Sequence, residues 1–302
     1  MRNYYTLGDS RYLPHLICLI DSINENFKDD RNIHVLALDN EVFEFFSKKK
    51  RPNVIVYGSD EVMSDFDIRA IRYLPPGQEA ISNAGASGKD PGFVQFCWAL
   101  APCFGEWLMN RVRDSVTYID ADILFFNDIS PFFEELGKNS IGFVSHRIPY
   151  LYSSGEYNVG IVHFSFDGPG RSAIRRWKSF LSNPNNQYST CFGVCGDQKY
   201  LEVIDYIYNQ NVKVVDNNFG HLAPWNVANH QYEDGKIVWK GKRQDLIYFH
   251  FAHFVIDDNG SYRASYNNEW TSGDPLKVDE FVNSAYDSYY SRMILAKREI
   301  KS

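Results

Sequence analysis

The sequence predicts an α/β fold in which helices flank a mostly parallel central sheet. Two observations lead to this prediction. The first 60 residues alternate short β-prone runs with segments whose apolar residues repeat at helical spacing, and this alternation is typical of parallel strands joined by helices. The 302 residues are 44% hydrophobic and carry charges of both signs, which indicates a globular chain that can bury a large core.

The first 60 residues carry five of the predicted elements. Runs rich in β-branched and aromatic residues indicate strands, and the segments between them have the apolar spacing of helices. The chain therefore begins in the order strand, helix, strand, helix, strand. We expect strands at 4–7, 33–38 and 54–57 and helices at 13–23 and 40–46, with Asn40 as the cap of the second helix.

Beyond this point the pattern is less regular. Residues 75–92 contain several glycines and prolines and little that is apolar, which predicts a loop. Residues 93–112 have a helical pattern, but Pro102 should kink or split that helix. We expect later strands at 116–126, 141–145, 160–164, 212–215, 237–239 and 246–251, and helices at 131–136, 172–181, 197–208 and 276–297.

The net charge and the cysteine content indicate which partners and which cellular compartment to expect. A net charge of −7 argues against nucleic acid as the main partner. The five cysteines are odd in number and irregularly spaced, which suits inert thiols in a reducing compartment. The N-terminus lacks the features of a signal peptide, and no apolar run approaches the roughly 20 residues of a membrane helix. We therefore expect a cytoplasmic protein.

Two aspartates interrupt the apolar run VTYIDADILFF. In an extended chain, Asp120 and Asp122 project to the same side, and neighbouring carboxylates are costly to bury without a counter-charge. A divalent cation supplies that counter-charge, and carboxylate oxygens suit Mg²⁺, Mn²⁺ or Ca²⁺. A second pair, Asp65 and Asp67, lies in a polar helix-like segment and indicates a solvated surface. The sequence therefore predicts a metal site at the first pair.

Several motifs along the chain resemble those of a known enzyme family, and they occur in its order. The chain resembles a glycosyltransferase of the A-type nucleotide-sugar fold, closest to family 8, which includes glycogenin and bacterial lipopolysaccharide galactosyltransferases. The resemblance implies the A-type fold over residues 1–260, with a C-terminal helical extension at residues 261–302. The motifs are YYTLGDSRYLPHLICLIDSI at 4–23, Asp-Ala-Asp at 120–122, YNVGIVHF at 157–164, CGDQKYL at 195–201 and FHFAHF at 249–254.

The resemblance implies which residues hold the donor, a UDP-sugar, and its metal, Mn²⁺ or Mg²⁺. A neutral imidazole from His250 would complete the metal site with the two aspartates. His253 is the alternate ligand or a donor to phosphate. The residues expected to contact the nucleotide-sugar are Thr6, Leu7, Tyr12, Asp120, Ala121, Asp122, Gly160 and His253.

The same resemblance implies the residues of the reaction centre. Asn158 and Gly160 would pair a sugar-facing amide with a residue that allows close backbone approach. Asp197 would bind sugar hydroxyls or steady an oxocarbenium-like centre, and Gln198 would lie next to the anomeric carbon. Each residue also has an ordinary structural explanation. For Asp197 that explanation is the cap of a helix opening after Gly196.

The chain departs from the family pattern after the late histidine motif. His253 occupies the position of a family glycine, and FVIDDNGSY replaces a common Lys-Pro-Trp segment. The leading hypothesis is metal-dependent transfer of a hexose from a UDP-sugar to a glycan or glycolipid, with retention of configuration. The alternatives are a sugar nucleotidyltransferase and a non-catalytic nucleotide-sugar or carbohydrate-binding protein.

The last residues, YYSRMILAKREIKS, are basic and amphipathic. They indicate either a solvated terminal helix or a peripheral contact with anionic lipid at the inner face of the membrane.

Overall fold

The computed structural model describes residues 1–63, 91–148, 155–182, 197–267 and 280–302. Three predictions therefore lie wholly or mostly outside the described residues: the loop at 75–92, the Asp65–Asp67 pair and the thiols of Cys191 and Cys195. Of the predicted loop, Pro91 and Gly92 are described, and they form the start of a helix.

Fifteen strands are described. Ten match predicted strands to within a few residues, and five, at 220–222, 231–233, 242–244, 255–256 and 262–263, were not predicted. The fifteen strands form four sheets. They are β1 (Arg2–Gly8), β2 (Arg31–Ala37), β3 (Val54–Gly58), β4 (Val116–Ile119), β5 (Ile123–Phe125), β6 (Ile141–Ser145), β7 (Tyr157–Phe164), β8 (Val212–Val215), β9 (Gly220–Leu222), β10 (Gln231–Glu233), β11 (Lys236–Trp239), β12 (Lys242–Gln244), β13 (Leu246–His250), β14 (Val255–Ile256) and β15 (Tyr262–Arg263).

Seven of these strands form the central sheet, in the order β3-β2-β1-β4-β7-β6-β8. The pairs β2–β3, β1–β2, β1–β4 and β6–β8 are parallel, whereas β7 runs antiparallel to both of its neighbours. The prediction of a mostly parallel sheet is confirmed. The reversal next to β4 separates two parallel blocks, and ligands in open α/β sheets bind where the strand order changes in this way.

The apolar run at 116–126 is not one strand, as the sequence suggested. It divides at a turn containing Ala121 and Asp122. Strand β4 lies in the central sheet, whereas β5 lies in a three-stranded sheet of order β5-β13-β9. The sequence pattern does not indicate this break, because every residue of β4 and of β5 is buried.

The helices of the described chain agree with the prediction except at some ends. Asp39, and not Asn40, caps the second helix, because its Oδ1 accepts a hydrogen bond from the N–H of Val42 at 3.1 Å. The helices are α1 (Leu13–Asn26), α2 (Asn40–Lys48), α3 (Ser59–Met63), α4 (Pro91–Val112), α5 (Ser130–Leu136), α6 (Gly168–Ser182), α7 (Tyr200–Tyr208) and α8 (Glu280–Lys301).

Two further helix predictions need correction. Pro102 lies inside α4, which continues through it and is not split. Helix α7 begins at Tyr200 with Lys199 as its N-terminal cap residue. Asp197 therefore precedes the helix and is not its cap, and the carboxylate needs another explanation.

The two faces of the central sheet bury two apolar cores. Tyr4 and Tyr5 are neighbours in β1 but belong to opposite cores, as expected for a strand buried on both sides. Helices α1, α2, α5 and α8 cover one face, and α4, α6 and α7 cover the other. Within the described part of the chain, no helix is both long and apolar enough to cross a membrane.

Candidate metal centre

Three ligand atoms converge at the end of strand β4. Asp120 follows the last residue of β4, Asp122 precedes β5, and His250 is the last residue of β13. One ligand atom from each lies within 4.8 Å of the other two. His250 Nε2 is 3.0 Å from Asp122 Oδ1 and 3.6 Å from Asp120 Oδ2. The structure thus brings together the three residues predicted as metal ligands.

Backbone hydrogen bonds fix this convergence. The N–H of Asp120 donates to the carbonyl of Gly160 at 3.0 Å, and the N–H of Phe251 donates to the carbonyl of Asp122 at 2.8 Å. His250 is also the register partner of Ile123 in the antiparallel pair of β13 and β5. The turn between the two sheets therefore carries both carboxylates toward the histidine, although the chain is not extended there.

The electrostatics show a shortage of positive charge. Burial raises the pKa of Asp120, and the neighbouring charge of Asp122 raises it further. The charge of His250 lowers this pKa but does not outweigh the other two effects. Burial also acts to raise the pKa of Asp122, but the interaction with His250 outweighs it and lowers the pKa of that carboxyl. Burial would lower the pKa of His250, yet the two aspartates raise it. One imidazole thus offsets one carboxylate, and the second remains uncompensated.

The donor set fits a divalent cation. Carboxylate oxygens are ligands for hard cations, and an added imidazole nitrogen favours Mn²⁺ among them. The side chains of Asp120 and Asp122 are 22% and 16% exposed, so an ion has access from solvent. The residues present therefore fit the metal that the sequence motif predicts.

A cleft opens directly beside the three ligands. Among the residues predicted to hold the nucleotide-sugar, it is lined by Leu7, Tyr12 and Ala121 as well as by the metal triad. Burial, followed by the charges of Asp122 and Asp120, raises the pKa of Tyr12, so its ring stays neutral. A flat neutral ring in the turn between β1 and α1, next to a cation site, suits a stacked nucleobase.

Other predicted residues surround the triad without lining that cleft. Asn158 Oδ1 lies 3.3 Å from His250 Nδ1, and Asn158 Nδ2 donates to Gln198 Oε1 at 3.4 Å. The carbonyl of Asp197 accepts from the indole of Trp177 at 3.2 Å. Burial, reinforced by the charge of Asp120, raises the pKa of Asp197 to about 8. This buried carboxyl is therefore mostly protonated at neutral pH.

Two residues predicted to contact the nucleotide-sugar, Thr6 and His253, do not line the cleft. The side chain of Thr6 is buried, and its Oγ1 has no hydrogen-bond partner among the residues that the structure describes. It does not line the cleft beside the metal ligands. His253 lies in a turn after β13 with a φ of +59°, a backbone conformation that favours glycine. This backbone conformation accounts for the departure at His253 from the predicted pattern only in that a glycine would adopt it with less strain.

Several cleft residues escaped the sequence analysis. Tyr118 donates from its hydroxyl to Asp120 Oδ1 at 2.7 Å, and period-two alternation along β4 could have placed it beside Asp120. Arg11 binds Asp9 Oδ2 through Nε and Nη2 at 2.8 and 2.6 Å. Trp98 lines the cleft from α4, and no local pattern would have separated it from the core aromatics.

Comparison with known proteins supports the fold. No protein-family model matches the chain. Two uncharacterized proteins of Bacillus subtilis (strain 168) are similar in sequence. YfnF is 30% identical over 180 residues, which are 54% of this chain and 57% of YfnF. YfnD is 24% identical over 264 residues, which are 84% of this chain and 78% of YfnD. The chain thus matches little more than half the length of YfnF.

Solved glycosyltransferases share the architecture at low sequence identity. An active-site mutant of LgtC superimposes with a TM-score of 0.56 and 13% identity, covering 88% of this chain and 93% of LgtC. Mouse xyloside xylosyltransferase 1 gives 0.54 and 14%, covering 83% and 98%. The chain therefore has the A-type glycosyltransferase fold. This confirms the resemblance and the fold class that the sequence motifs predicted.

Proposed function

We propose that the protein is a glycosyltransferase that moves a hexose from a UDP-sugar to a glycan or glycolipid acceptor, with a divalent metal and with retention of configuration. One observation carries this proposal. Two carboxylates and an imidazole converge to within 4.8 Å at the edge of a cleft that Tyr12 and Leu7 also line. The shared fold and the ordered motifs support the same conclusion.

Asp120, Asp122 and His250 would hold the metal, with Mn²⁺ as the expected ion. When bound, the metal supplies Lewis-acid stabilisation of the charge on a leaving diphosphate. The protein contributes two carboxylates whose mutual repulsion falls once a cation lies between them. This explains why a partly buried turn retains both aspartates.

The nucleotide end of the donor would lie against Tyr12, with Leu7 offering backbone groups to the edge of the base. Asp9 and Arg11 also line this part of the cleft. In the metal-free protein, burial followed by the charge of Asp120 raises the pKa of Asp197 to about 8. Asp197 would bind sugar hydroxyls or steady an oxocarbenium-like centre.

The reaction that we propose is a front-face substitution at the anomeric carbon. The bond between that carbon and the diphosphate oxygen breaks, and the bond to the acceptor oxygen forms on the same face. The acceptor's proton passes to the leaving diphosphate, so that atoms and charge balance. Gln198, which Asn158 holds at 3.4 Å, would lie beside the anomeric carbon.

We also infer a cytoplasmic location with peripheral contact to anionic lipid. Helix α8 buries its apolar face in the protein, including Tyr286, Tyr289 and Met293, so that face is not available to a bilayer. The exposed charges of Lys297, Arg298 and Lys301 remain at its end. Each gives roughly 1 kcal/mol near an anionic surface. Sedimentation with phosphatidylserine vesicles at low and high salt tests this contact.

A donor screen tests the main proposal. Thermal unfolding is measured with UDP-glucose, UDP-galactose or UDP-N-acetylglucosamine, each with and without Mn²⁺. We expect one donor to raise the melting temperature only when Mn²⁺ is present, because bound ligand stabilises the folded state. Release of UDP from that donor, followed over hours, then distinguishes an enzyme from a binding protein.

The matched control is Asp234→Asn, which alters a carboxylate that is 86% exposed and paired with Arg243. It should behave as the wild type, whereas Asp122→Asn should lose the Mn²⁺-dependent shift. Equal shifts with and without metal, or a shift that survives in Asp122→Asn, would rule out the proposed metal site. Protection without any UDP release would favour a binding protein.

A further inference from the structure

Asn158 is a fully engaged side chain in the middle of the candidate site. It lies in β7 and is 4% exposed. Its Oδ1 accepts from the N–H of Gly160 at 2.7 Å and lies 3.3 Å from His250 Nδ1. Its Nδ2 lies 3.4 Å from both Gln198 Oε1 and His146 Nε2. An amide offers two donor hydrogens and two acceptor lone pairs, so protein groups occupy all four.

The orientation of this amide follows from two backbone groups. A backbone N–H can only donate, so the Asn158 atom that faces Gly160 is the oxygen. At the other end, the carbonyl of Gly155 can only accept, and it lies 2.8 Å from His146 Nδ1. His146 therefore carries its proton on Nδ1 and presents Nε2 as an acceptor to the amide nitrogen. Both constraints give the same orientation.

The orientation of the amide in turn decides the tautomer of His250. Because Asn158 presents its oxygen, the histidine must carry a proton on Nδ1. Its Nε2 then points toward Asp122 and Asp120, at 3.0 and 3.6 Å, and can bind a metal once the proton that it shares with Asp122 is released. Metal-binding histidines commonly donate their second N–H to a fixed acceptor, and this contact raises metal affinity.

Gly160 is required by space. A Cβ atom there would lie 2.5 Å from Asn158 Oδ1 and 3.0 Å from His250 Nδ1. Both atoms belong to groups held by further hydrogen bonds, so a side chain would push the amide away from the histidine. The glycine thus admits the contact between Asn158 and His250.

We propose that Asn158 and Gly160 are positioning residues for the metal-binding histidine, and that His146 fixes the orientation of the amide. The sequence resemblance implied that the Asn-x-Gly motif contacts the sugar. We propose instead that it positions the histidine that binds the metal. This inference rests on the proposed metal site and assigns that site three residues beyond its ligands.

The test is Mn²⁺ binding to metal-free protein, measured by calorimetry with no sugar present. We expect Asn158→Ala and Gly160→Ala to weaken Mn²⁺ binding by about 10- to 100-fold. Asn158→Asp keeps an acceptor for His250 Nδ1 but turns its second oxygen toward Gln198 Oε1 and His146 Nε2, so it should restore the affinity only in part. A residue that contacts only the sugar would leave Mn²⁺ binding unchanged in all three variants.

Asn3→Ala is the matched control. Asn3 is 4% exposed in β1, its Nδ2 donates to the carbonyl of Ser115 at 3.3 Å, and its Oδ1 lies 3.2 Å from His34 Nε2. Neither partner belongs to the candidate site. We expect this variant to lose stability in thermal unfolding while it keeps its Mn²⁺ affinity. An equal loss of affinity in Asn3→Ala would mean that general destabilisation explains the effect, and would overturn the inference.

The outcomes also separate this inference from the proposed function. If the wild type binds Mn²⁺ and both Asn158→Ala and Gly160→Ala bind it equally well, the positioning role is wrong and the metal site stands. If the wild type does not bind Mn²⁺, both proposals are wrong. Gly160→Ala leaves the Asn158 amide intact, so it decides the question even if Asn158→Ala does not fold.

Discussion

Two charged clusters in this protein, one around a buried arginine and one at the partly exposed edge of the cleft, differ in how completely their charges are paired. Around Arg147, whose side chain is 0% exposed, the guanidinium bonds Asp216 Oδ1 at 2.8 Å and the Phe219 carbonyl at 2.9 Å. It also bonds Gln244 Oε1 at 3.2 Å. Burial would raise the pKa of Asp216, but the charge of Arg147 lowers it. The charges in this cluster are paired.

The cluster of Asp120, Asp122 and His250 is not balanced in this way. Two carboxylates share one imidazole, and burial together with Asp122 raises the pKa of Asp120. A buried pair with its hydrogen bonds complete needs no ligand, whereas excess buried charge is tolerated only if something else neutralises it. The comparison suggests that Arg147 serves the fold and that the aspartates serve a cation.

The largest effect should follow from breaking the balanced cluster. Arg147→Met removes the buried cation and takes the donor from the Phe219 carbonyl and Gln244 Oε1, although Asp216 keeps Lys240 at 3.0 Å. Removing one partner of a buried pair typically costs about 3–5 kcal/mol. Urea unfolding of the metal-free protein measures this loss. Arg243→Met is the control, because its pair with Asp234 is 48% and 86% exposed and should contribute less than about 1 kcal/mol. Similar losses in both variants would contradict the comparison.

The unbalanced cluster should respond in the opposite way. Asp120→Asn removes a charge that the folded state disfavours, so the metal-free protein should become more stable in the same urea experiment. The amide oxygen can still accept from Tyr118. Donor turnover should fall by about 10²- to 10³-fold because the charge of the leaving group is less well stabilised. A loss of stability together with unchanged turnover would make Asp120 a structural residue.

The sequence revealed one of these clusters and not the other, for a physical reason. Asp120 and Asp122 stand out because they interrupt an apolar run, and His250 because it ends one. Arg147 and Asp216 are 69 residues apart and follow separate strands in ordinary polar context. Their pairing depends on β6 and β8 being neighbours in the sheet, which local pattern does not specify.

The fold, like the charged clusters, could be predicted from the sequence only in part. Strands buried on both faces and the helices between them follow from apolar spacing, so the first three strands and two helices were found. The division of residues 116–126 between two sheets was not, because Ile119 and Ile123 are equally buried on either side of the turn. Periodicity reports burial and does not report which sheet buries the residue.

The pH dependence of stability sharpens the comparison further. The unfolded chain releases the Asp197 proton near the ordinary value of 3.8, whereas the folded chain holds it to about pH 8. Between these values the folded state binds more protons, so stability falls as the pH rises. One group can change the free energy of unfolding by at most about 1.4 kcal/mol per pH unit. In metal-free protein we expect Asp197→Asn to reduce the total fall in this free energy between pH 5 and pH 8 by about 2 kcal/mol.

Urea midpoints at pH 5 and pH 8 in chelating buffer measure that effect. Wild type and Asp197→Asn should differ more at pH 8 than at pH 5, with the variant the more stable at pH 8. A constant difference at both values would mean that Asp197 is ionised throughout this range. Its hydrogen bond to a sugar hydroxyl would then use the carboxylate as an acceptor.

The smallest effect concerns a single hydrogen bond at the edge of the unbalanced cluster. Tyr118→Phe removes the hydroxyl that donates to Asp120 Oδ1 at 2.7 Å but keeps the ring packed against Tyr5 at 5.2 Å. We expect Mn²⁺ affinity to fall about tenfold, the lower end of the usual range for a residue that orients a metal ligand. Calorimetric titration with Mn²⁺ provides the measurement.

Tyr157→Phe is the control for that variant, since its hydroxyl donates to Asp205 Oδ2 at 2.5 Å in the same kind of bond away from the three ligands. If both variants lose equal affinity, the fall reflects a general loosening of the sheet. If only Tyr118→Phe loses affinity, the hydroxyl of Tyr118 in β4 orients Asp120, the ligand that directly follows this strand. The alternation of side chains along one strand then accounts for Asp120 and its partner together, since residues two apart face the same corner.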